Sequence, residues 1–429
     1  MEPVYVSAQE AVKIIKDGDC VAIGHATGEP QELVRAMVQR SGEPKGVRVT
    51  HMIGMSEGKY CQSEYKGVFE HISLFVGAAA RGPIAEGNGD YIPVHFSDIP
   101  GLFEKDVIPV DVALIQVSSP DKHGYVSLGI SVDYTLAIVK KAKKVIAQIN
   151  KNMPFTYGES LVHLSEINYA VEYDEPLIEL EPPVLTEEDR IIGKNCAALI
   201  NDGDTIQLGI GSLPDAICQQ LKDKKNLGVH SEMISDGVMK LVECGAVNCS
   251  KKSLHPGKIV VTFIMGTKKL YGFLDHNPMI YIAPASYVND PRVICKNDNF
   301  VSINSCVQVD FTGQICAESV GIKQISGTGG QVDFIRGANM SRGGRSMVVM
   351  TSSAKNGKIS KIVPVLDGGA VVTTPRTDVR YIITEYGVAD MYGKTMSQRA
   401  RALINIAHPN FRSELISAWE ERFKRSFAI

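Results

Sequence analysis

The beginning of the chain alternates between helical and extended patterns of apolar positions. A capping box at Ser7–Glu10 opens a predicted helix with apolar residues at 11, 12, 14 and 15, because Ser and Glu at this spacing satisfy each other's backbone N–H groups. A predicted strand at 20–23, a glycine-containing loop at 24–30, a helix at 32–38 and a strand at 47–51 follow. This order predicts the first units of an α/β fold.

The same order of elements returns in the second half of the chain. Thr186 is placed to cap a helix, which is followed by a strand at 205–208, a loop at 209–214, a helix at 216–221 and a strand at 227–231. Both first helices end in Asp-Gly-Asp, at 17–19 and at 202–204, so the offset is 202 − 17 = 185 residues. The repeated order indicates an internal duplication.

The duplication predicts an α/β protein built from two similar, open, mostly parallel, doubly wound domains. We assign residues 1–184 to the N-terminal domain and 185–429 to the C-terminal domain, with the Pro- and Glu-rich stretch 175–184 as the linker. We expect the active site in the interdomain cleft, and the nucleophile and ligand-binding loops on the C-terminal domain.

Composition and charge restrict the class of protein. Hydrophobic residues make up 44% and charged residues 22% of the chain, as in globular proteins, and the net charge of −3 provides no bulk attraction to nucleic acid or anionic lipid. The N-terminus does not resemble a signal peptide, and no apolar run approaches the ~20 residues of a membrane span. Nine scattered cysteines without a CxxC pair indicate reduced thiols. We therefore predict a cytoplasmic protein with no metal site and no nucleic-acid or membrane partner.

Glu232 is the main candidate for chemistry. In an open α/β sheet ligands bind beyond the carboxyl ends of strands, and Glu232 follows one strand while the loop Gly209–Pro214 follows its neighbour. The loop suits an anion or oxyanion, because glycines let backbone N–H groups approach a ligand. Three interpretations remain: a covalent nucleophile, a ribose-binding acid 232 − 209 = 23 residues after the Gly-x-Gly, or a cap of a helix near Met233. Pro214 disfavours the dinucleotide fingerprint, which needs glycine there.

A second glycine cluster, Ser326–Gly337, favours the nucleophile. The stretch is too rich in glycine for the interior of a helix or strand, and apolar Val332, Phe334 and Ile335 follow the glycines directly. This pattern predicts a buried, fixed loop, which is what a site built from backbone N–H donors requires.

At this point the sequence resembles the acetyl-CoA hydrolase/transferase family, and within it the 4-hydroxybutyrate CoA-transferase and butyryl-CoA:acetate CoA-transferase group. The strings that carry the resemblance are GIGSLPDAI (209–217), HSEMISDG (230–237), FIMGTKKLY (263–271), GTGGQVDFIRGA (327–338), TEYGVADMYGKT (384–395) and RALINIAHP (401–409). Essentially the whole chain is covered, and first-half matches such as GHATGEP (24–30) are looser.

The resemblance implies roles for individual residues. Glu232 would be the nucleophile, and the backbone N–H groups of Ile210 and Gly330 would stabilise the oxyanion. CoA would be bound by Gly209, Ile210, Gly211, Ser212, Leu213, Ser326, Gly330 and Lys355. Asn289 would line the substrate pocket. Apart from the resemblance, we predict His25 in the pocket because its loop is equivalent to Gly209–Leu213, the alternative being a hydrogen-bonded structural histidine. We predict Gln331 there because it is the neighbour of Gly330. Glu385 lies in a family string without a defined role; orienting a neighbour is our interpretation.

The implied reaction is transfer of CoA from a short-chain acyl-CoA to a carboxylate such as acetate. It would be ping-pong, through an acyl-glutamyl anhydride and a glutamyl-CoA thioester at Glu232, with acyl-CoA as substrate and no prosthetic group. The resemblance also suggests a homodimer. Alternatives are an acyl-CoA hydrolase using the same glutamate and, less favoured, an NAD(P)-dependent oxidoreductase. The preferred acyl group is left open, since one methylene or hydroxyl is worth only ~1–3 kcal/mol.

Overall fold

The computed structural model describes residues 2–40 and 42–427, which form two compact units. The first unit consists of Met1–Glu181, Glu232–Asp236 and Lys258–Asn289, and the second of Pro182–Ser231, Gly237–Gly257 and Asp290–Ile429. The first boundary lies three residues before the predicted one, after residue 184.

The position of Glu232 differs from the predicted division, in which residues 185–429 formed one domain that carried the nucleophile. The segments Glu232–Asp236 and Lys258–Asn289 group with the first unit. The reason is backbone pairing: Met233–Ile234 pairs in parallel with Phe263–Ile264, and the N–H of Ile264 donates to the carbonyl of Ile130, 2.8 Å away.

The α-helices, numbered in chain order, are α1 Ala8–Ala11, α2 Gln31–Gln39, α3 Ala78–Ala85, α4 Ile99–Glu104, α5 Thr135–Lys141, α6 Glu187–Ala197, α7 Ser212–Gln220, α8 Asp236–Glu243, α9 Lys268–Leu274, α10 Ala285–Val288, α11 Pro291–Ile294, α12 Gln331–Met340, α13 Met396–Asn405 and α14 Pro409–Phe423. Short 3-10 helices lie at Val12–Ile14, Lys59–Cys61, Ser63–Tyr65, Phe96–Asp98 and Leu164–Glu166.

The strands of the two main sheets are β1 Val4–Tyr5, β2 Cys20–Ile23, β3 Val47–His51, β4 Phe69–Ser73, β5 Asp90–Tyr91, β6 Val112–Val117, β7 Lys144–Ile149, β8 Tyr169–Glu172, β9 Thr205–Gln207, β10 Gly228–Val229, β11 Phe300–Ser305, β12 Arg345–Val349, β13 Tyr381–Thr384 and β14 Gly387–Asp390. Shorter strands outside these sheets lie at Tyr125–Ser127, Leu161–His163, Met233–Ile234, Ile259–Val261, Phe263–Ile264, Ile280–Ile282, Gln308–Asp310, Ile315–Cys316, Ser319–Val320, Lys323–Gln324, Ser353–Ala354, Ile359–Ser360 and Ile362–Val363.

Each unit contains one main sheet, and the two sheets share a strand order. The first unit has the order β1-β8-β7-β6-β2-β3-β4-β5, with all neighbours parallel. The second has β10-β9-β11-β12-β13-β14, parallel except for the edge strand β14. The central run β8-β7-β6-β2-β3 corresponds to β13-β12-β11-β9-β10. The predicted pair of similar, mostly parallel α/β folds is confirmed.

The duplicated Asp-Gly-Asp turns, Asp17–Asp19 and Asp202–Asp204, also repeat their hydrogen bonds. In each turn the glycine has positive φ (74° and 81°), and its N–H donates to a lysine carbonyl, of Lys45 and Lys225, at 2.9 Å. The first aspartate accepts from the N–H of the same lysine at 2.9 Å. The second aspartate accepts from the N–H three residues before it, at 2.8 and 2.7 Å. The shared pattern supports duplication at the level of individual contacts.

Of the two predicted helix caps, the one at Thr186 is complete and the one at Ser7 is partly formed. Thr186 forms a complete capping box with Asp189 at the start of α6. Ser7 accepts from the N–H of Glu10, but the Glu10 carboxylate pairs with Lys13 at 2.6 Å instead of returning to Ser7. The box at the start of α1 is therefore only half formed.

Each unit has a hydrophobic core beside its sheet. In the first, α2 buries Leu33 and Met37 against β2 and β3; burying one such side chain contributes about 1.5–3 kcal/mol. In the second, α13 and α14 bury Leu403 and Trp419 in a cluster with residues of β12 and β13. Among the described helices, none has the length and apolar character needed to span a membrane.

Candidate active site

Glu232 is held through its backbone and through a side-chain hydrogen bond from Asn289. Its carbonyl accepts from the N–H groups of Thr262 (3.0 Å) and Phe263 (3.2 Å). Its carboxylate Oε2 accepts from the Nδ2 of Asn289 at 2.7 Å, and Asn289 is fully buried at the end of α10. A hydrogen bond to an ionised carboxylate is stronger than one between neutral groups and fixes the direction of the side chain. Two predicted site residues, Glu232 and Asn289, are therefore in direct contact.

The helix-cap interpretation of Glu232 is wrong. Met233–Ile234 is a strand, and the next helix, α8, begins only at Asp236. The carboxylate of Asp236 accepts from the N–H (3.0 Å) and hydroxyl (2.5 Å) of Thr267. Glu232 is thus separated from α8 by extended chain, and its side chain contacts Asn289 instead.

The first glycine loop, Gly209–Leu213, connects β9 to α7 in the second unit. Gly211 has φ of +112°, a conformation that side chains rarely adopt, and a Cβ on Gly209 or Gly211 would meet nothing within 4 Å. The Ile210 side chain is 40% exposed. The loop is therefore open, with space for a ligand against its backbone.

Helix α7 begins four residues earlier than predicted, at Ser212 instead of Ala216. Ser212, Leu213 and Pro214 form its first turn, where proline is tolerated because the first N–H groups have no partner within the helix. The predicted loop residues Ser212 and Leu213 consequently sit on the helix N-terminus.

The second glycine cluster is a buried loop at the start of α12. Gly330 is the N-cap residue, Gly329 has φ of +54°, and Gln331 is the first helical residue. Ser326 is anchored on both sides: its N–H donates to the carbonyl of Glu318 at 3.1 Å, and its carbonyl accepts from Gln324 Nε2 at 2.9 Å. Val332, Phe334 and Ile335, on the helix that follows the loop, are buried as predicted. The Nε2 of Gln331 donates to Thr374 Oγ1 at 3.1 Å.

The predicted site residues of the second unit lie in connections that follow the carboxyl ends of its strands. Strands β10, β9, β11, β12 and β13 are parallel neighbours, so their carboxyl ends lie together. Gly209–Leu213 follows β9, and residues 326–330 end the long connection from β11 to α12. Lys355 lies in the connection after β12, and Glu385 follows β13. Ligands bind at such edges in open α/β sheets.

Lys355 and Glu385 have different environments at this edge. Lys355 is exposed, with φ of +50°, in the turn between the paired strands Ser353–Ala354 and Ile359–Ser360. Glu385 accepts from the N–H (2.9 Å) and hydroxyl (2.5 Å) of Ser352. Glu385 thus holds the start of the segment that leads to Lys355, consistent with an orienting role.

His25 occupies a buried, aromatic environment in the first unit. Its side chain is 0% exposed and is surrounded by the rings of Phe96, Tyr134 and Phe263, with centroids 4.7–5.8 Å away. Its Nδ1 lies 3.1 Å from Asp133 Oδ2. This geometry agrees with the hydrogen-bonded structural histidine that was the alternative to a pocket residue.

Ser131 and Asp133 were not among the predicted site residues, although both are fully or almost fully buried near the Glu232 segment. The sequence did offer a signal, because these two polar residues alternate with the apolar residues Ile130, Val132 and Tyr134. Among the described residues, no group of three or more His, Cys, Asp or Glu side chains could hold a metal ion.

The fold and these residues define a protein of the acetyl-CoA hydrolase/transferase family, to which the chain belongs. The family's N-terminal domain matches residues 3–180 and its C-terminal domain matches residues 266–419. The resemblance stated from the sequence is confirmed, and relatives place the chain among the CoA-transferases of the family.

A 4-hydroxybutyrate coenzyme A transferase of Clostridium kluyveri is 56% identical over 418 residues, covering 97% of both chains. A succinyl-CoA:cyclohexane-1-carboxylate CoA transferase of Geobacter metallireducens is 45% identical over 96% of this chain and 94% of its own. Of solved structures, RipA from Yersinia pestis has a TM-score of 0.93 at 36% identity, and a 4-hydroxybutyrate CoA-transferase from Porphyromonas gingivalis has 0.83 at 41%; each comparison covers 98% of both chains.

Proposed function

We propose that the protein transfers CoA between a short-chain acyl-CoA and a carboxylate acceptor such as acetate, with Glu232 as the nucleophile. The observation that carries the assignment of the nucleophile is the 2.7 Å hydrogen bond from buried Asn289 to Glu232 Oε2. The substrate class is supported by relatives that are named as CoA-transferases. The candidate acyl groups are 4-hydroxybutyryl, butyryl and acetyl.

The proposed reaction has two half-reactions that balance without a proton donor or a cofactor. A Glu232 oxygen attacks the thioester carbonyl carbon, the C–S bond breaks, and an acyl-glutamyl anhydride and CoA thiolate form. The thiolate attacks the glutamyl carbonyl carbon, the anhydride C–O bond breaks, and the product carboxylate leaves glutamyl-CoA behind. A second carboxylate reverses these steps and regenerates the Glu232 carboxylate. A glutamate side chain suits this role because it is ionised at neutral pH without a partner base.

We further propose the backbone N–H groups of Ile210 and Gly330 as donors to the oxyanion of each tetrahedral intermediate. Within the described part of the chain, no hydrogen bond uses either N–H. Ile210 precedes the N-terminus of α7, and Gly330 caps α12. Losing one such donor costs about 100- to 1000-fold in kcat.

The link between strand ends supports the placement of the nucleophile. Ser231 Oγ donates to the carbonyl of Leu208 at 3.0 Å, and the Leu208 N–H lies 3.3 Å from the same oxygen. Glu232 is the next residue after Ser231, and Gly209 is the next residue after Leu208. Ser231 and Leu208, which directly precede the proposed nucleophile and the proposed CoA loop in sequence, are therefore hydrogen-bonded to each other.

The experiment that tests the nucleophile uses acyl-CoA without any acceptor. The enzyme is incubated with butyryl-CoA, treated with borohydride to reduce a thioester, and digested for mass spectrometry. We expect loss of activity and a modified Glu232 peptide, with the Glu64 peptide as an unmodified internal control. An unmodified Glu232 peptide with full activity would remove the covalent mechanism. Turnover of acyl-CoA without acceptor at the transferase rate would indicate a hydrolase instead.

Acyl preference is tested by a panel of acyl-CoA donors with acetate as acceptor. We propose that the preferred donor is one of 4-hydroxybutyryl-, butyryl- and acetyl-CoA, because the chain is 56% identical to a 4-hydroxybutyrate coenzyme A transferase. The panel includes cyclohexane-1-carboxyl-CoA, since a 45% identical relative is named for that acyl group. A kcat/KM highest for the cyclic donor would overturn the proposed preference and leave the proposed chemistry intact.

We also propose a homodimer that acts in the cytoplasm. The family resemblance supports the dimer, and the nine cysteines, which are all free and of which seven are buried, suit a reducing compartment. Sedimentation at several protein concentrations tests the dimer; a monomer of 46.6 kDa throughout would contradict it.

A further inference from the structure

The segment Ile130–Asp133 lies directly against the backbone that holds Glu232. The carbonyl of Ile130 accepts from the N–H of Ile264 at 2.8 Å, and the N–H groups of Val132 and Asp133 donate to the carbonyl of Thr262 at 3.0 and 3.3 Å. Ser131 and Phe263 form an antiparallel bridge between these hydrogen bonds.

Thr262 joins this segment to the proposed nucleophile. Its carbonyl faces Asp133, while its N–H donates to the carbonyl of Glu232 at 3.0 Å. The backbone of Thr262 is therefore hydrogen-bonded to both Asp133 and Glu232.

The same segment also holds the residue that contacts the Glu232 carboxylate. The carbonyl of Asp133 accepts from the N–H of Ala285 at 3.1 Å, and the carbonyl of Ala285 accepts from the N–H of Asn289 at 2.9 Å. Ala285 is the first residue of α10, and Asn289 follows the last. Asp133 is thus linked by one intermediate residue to each member of the Glu232–Asn289 pair.

The Asp133 side chain fixes this backbone from inside the unit. It is 0% exposed, and its Oδ2 accepts from Ser131 Oγ at 2.6 Å and from His25 Nδ1 at 3.1 Å. Its Oδ1 accepts from the N–H of Tyr134 at 2.7 Å. A buried carboxylate must be satisfied by such donors, and these three connect the 131–134 backbone to the His25 loop.

We infer that Asp133 is a positioning residue for the reaction: it sets the distance and direction between Glu232 and Asn289 without touching the substrate. This inference rests on the proposed role of Glu232. It assigns a function to the buried Ser131–Asp133–His25 network, which the proposed chemistry does not use directly.

The test is Asp133→Asn, which keeps the shape but cannot accept from all three donors at once. We expect kcat and the rate of glutamyl-CoA formation to fall by roughly 10- to 100-fold with little change in KM, since a misplacement of about 1 Å costs on the order of 100-fold. The matched control is Asp204→Asn in the second unit. Asp204 is also buried and accepts two hydrogen bonds, but it lies at the amino end of β9. We expect it to lower stability and leave kcat near the wild-type value.

A double-mutant cycle separates positioning from general destabilisation. If Asp133 acts by placing Asn289 and Glu232, Asp133→Asn lowers kcat much less in an Asn289→Ala background than in the wild type. If Asp133→Asn does not fold, Ser131→Ala replaces it in the test. Ser131→Ala removes one of the three donors, and we expect its kcat to fall several-fold. Equal kcat for wild type, Asp133→Asn and Ser131→Ala, or fully multiplicative effects in the cycle, would overturn the inference.

The outcomes also separate this inference from the proposed function. A wild-type enzyme that forms no adduct at Glu232 contradicts the proposed function, and the positioning role falls with it. A wild-type enzyme that forms the adduct, together with Asp133→Asn forming it at the same rate, leaves the proposed function intact and removes only the positioning role.

Discussion

The side-chain amide of Asn289 donates a 2.7 Å hydrogen bond to Glu232 Oε2 across 57 residues of chain. The other end of the amide, Oδ1, is buried and has no hydrogen-bond partner among the described residues. Since an ionised carboxylate can only accept, the NH2 group must face Glu232. The amide thus donates to the carboxylate in a defined direction. Substitutions of either Glu232 or Asn289 test this contact.

Replacing Glu232 with glutamine should abolish transfer while leaving the fold intact. The amide keeps the size of the side chain but lacks the ionised oxygen that attacks the thioester, so we expect kcat to fall on the order of 1000-fold or more. Steady-state transferase assays and CoA binding by calorimetry check this, with exposed Glu64→Gln as the control. Retention of more than a tenth of wild-type kcat would contradict a nucleophilic role.

Asn289→Ala should lower kcat/KM by about 10- to 150-fold. A hydrogen bond to a charged group contributes about 1.5–3 kcal/mol, and each ~1.36 kcal/mol corresponds to a factor of ten. The measurement is kcat/KM for acyl-CoA at saturating acetate. An unchanged value would show that the Asn289 contact plays no part in the reaction.

Asn289→Asp should shift the pH dependence of the enzyme in a defined direction. A second carboxylate beside Glu232 disfavours the ionised nucleophile and raises its pKa, so activity should be lost at low pH and recover as the pH rises. The acid limb of kcat/KM should therefore lie at higher pH than in Asn289→Ala, which serves as the uncharged control. Coinciding profiles for the two variants would exclude direct electrostatic contact.

Gly211→Ala should weaken CoA binding and destabilise the second unit. The φ of +112° at Gly211 is unfavourable for a side chain, and such strain costs about 1–3 kcal/mol, although a Cβ would have open space. We expect a higher KM for acyl-CoA and a lower denaturant midpoint. Gly209→Ala, which has the same open space without positive φ, should cost less stability. Equal destabilisation by both substitutions would rule out backbone strain as the cause.

His71 should make the protein less stable in mild acid. Burial lowers the pKa of His71 from 6.5 to about 4, and its Nδ1 donates to the carbonyl of Val49 at 3.2 Å. The unfolded chain binds a proton below about pH 6.5 that the folded protein does not bind. The free energy of unfolding therefore falls as the pH drops from 6.5 toward 4. The loss is at most ~3.4 kcal/mol, at ~1.36 kcal/mol per pH unit, and this contribution levels off below pH 4.

Denaturant unfolding of His71→Asn at pH 7 and pH 4.5 checks this effect. Asparagine can still donate near the Nδ1 position but does not titrate, so the difference in unfolding free energy between the two pH values should shrink. Exposed His123→Asn is the control and should leave the difference unchanged. If His71→Asn showed the same difference in unfolding free energy between the two pH values as the wild type, the acid sensitivity would be due to other groups.

The fold could be predicted from local patterns because the duplication repeats them. Two Asp-Gly-Asp turns and two sets of alternating helices and strands specify parallel sheets without any knowledge of tertiary contacts. Helix α7 starts earlier than predicted because Pro214, a residue more common at helix ends than in helix interiors, here belongs to the first turn.

The site could be predicted only where its residues belong to local strings. Glu232 and the glycine loops stand in such strings, whereas the Asp133 network depends on hydrogen bonds between segments more than a hundred residues apart. His25 illustrates the limit, since its loop position left both a pocket residue and a structural histidine open, and only the fold shows that its ring lies among buried aromatics. The grouping of Glu232 with the first unit likewise depends on pairing between short strands that no periodicity indicates.

The discontinuity of the first unit has a consequence for synthesis and for engineering. The chain passes between the two units after residues 181, 231, 236, 257 and 289, so the first unit is incomplete until the ribosome has made residue 289. A fragment ending at residue 181 would lack the strand pairs that include Ile264 and Ile282, and partners of Ile130 and Asp133 would be missing. The ancestral halves are therefore no longer separable modules, and neither can be exchanged for that of a relative by one crossover without breaking the unit that contains Glu232.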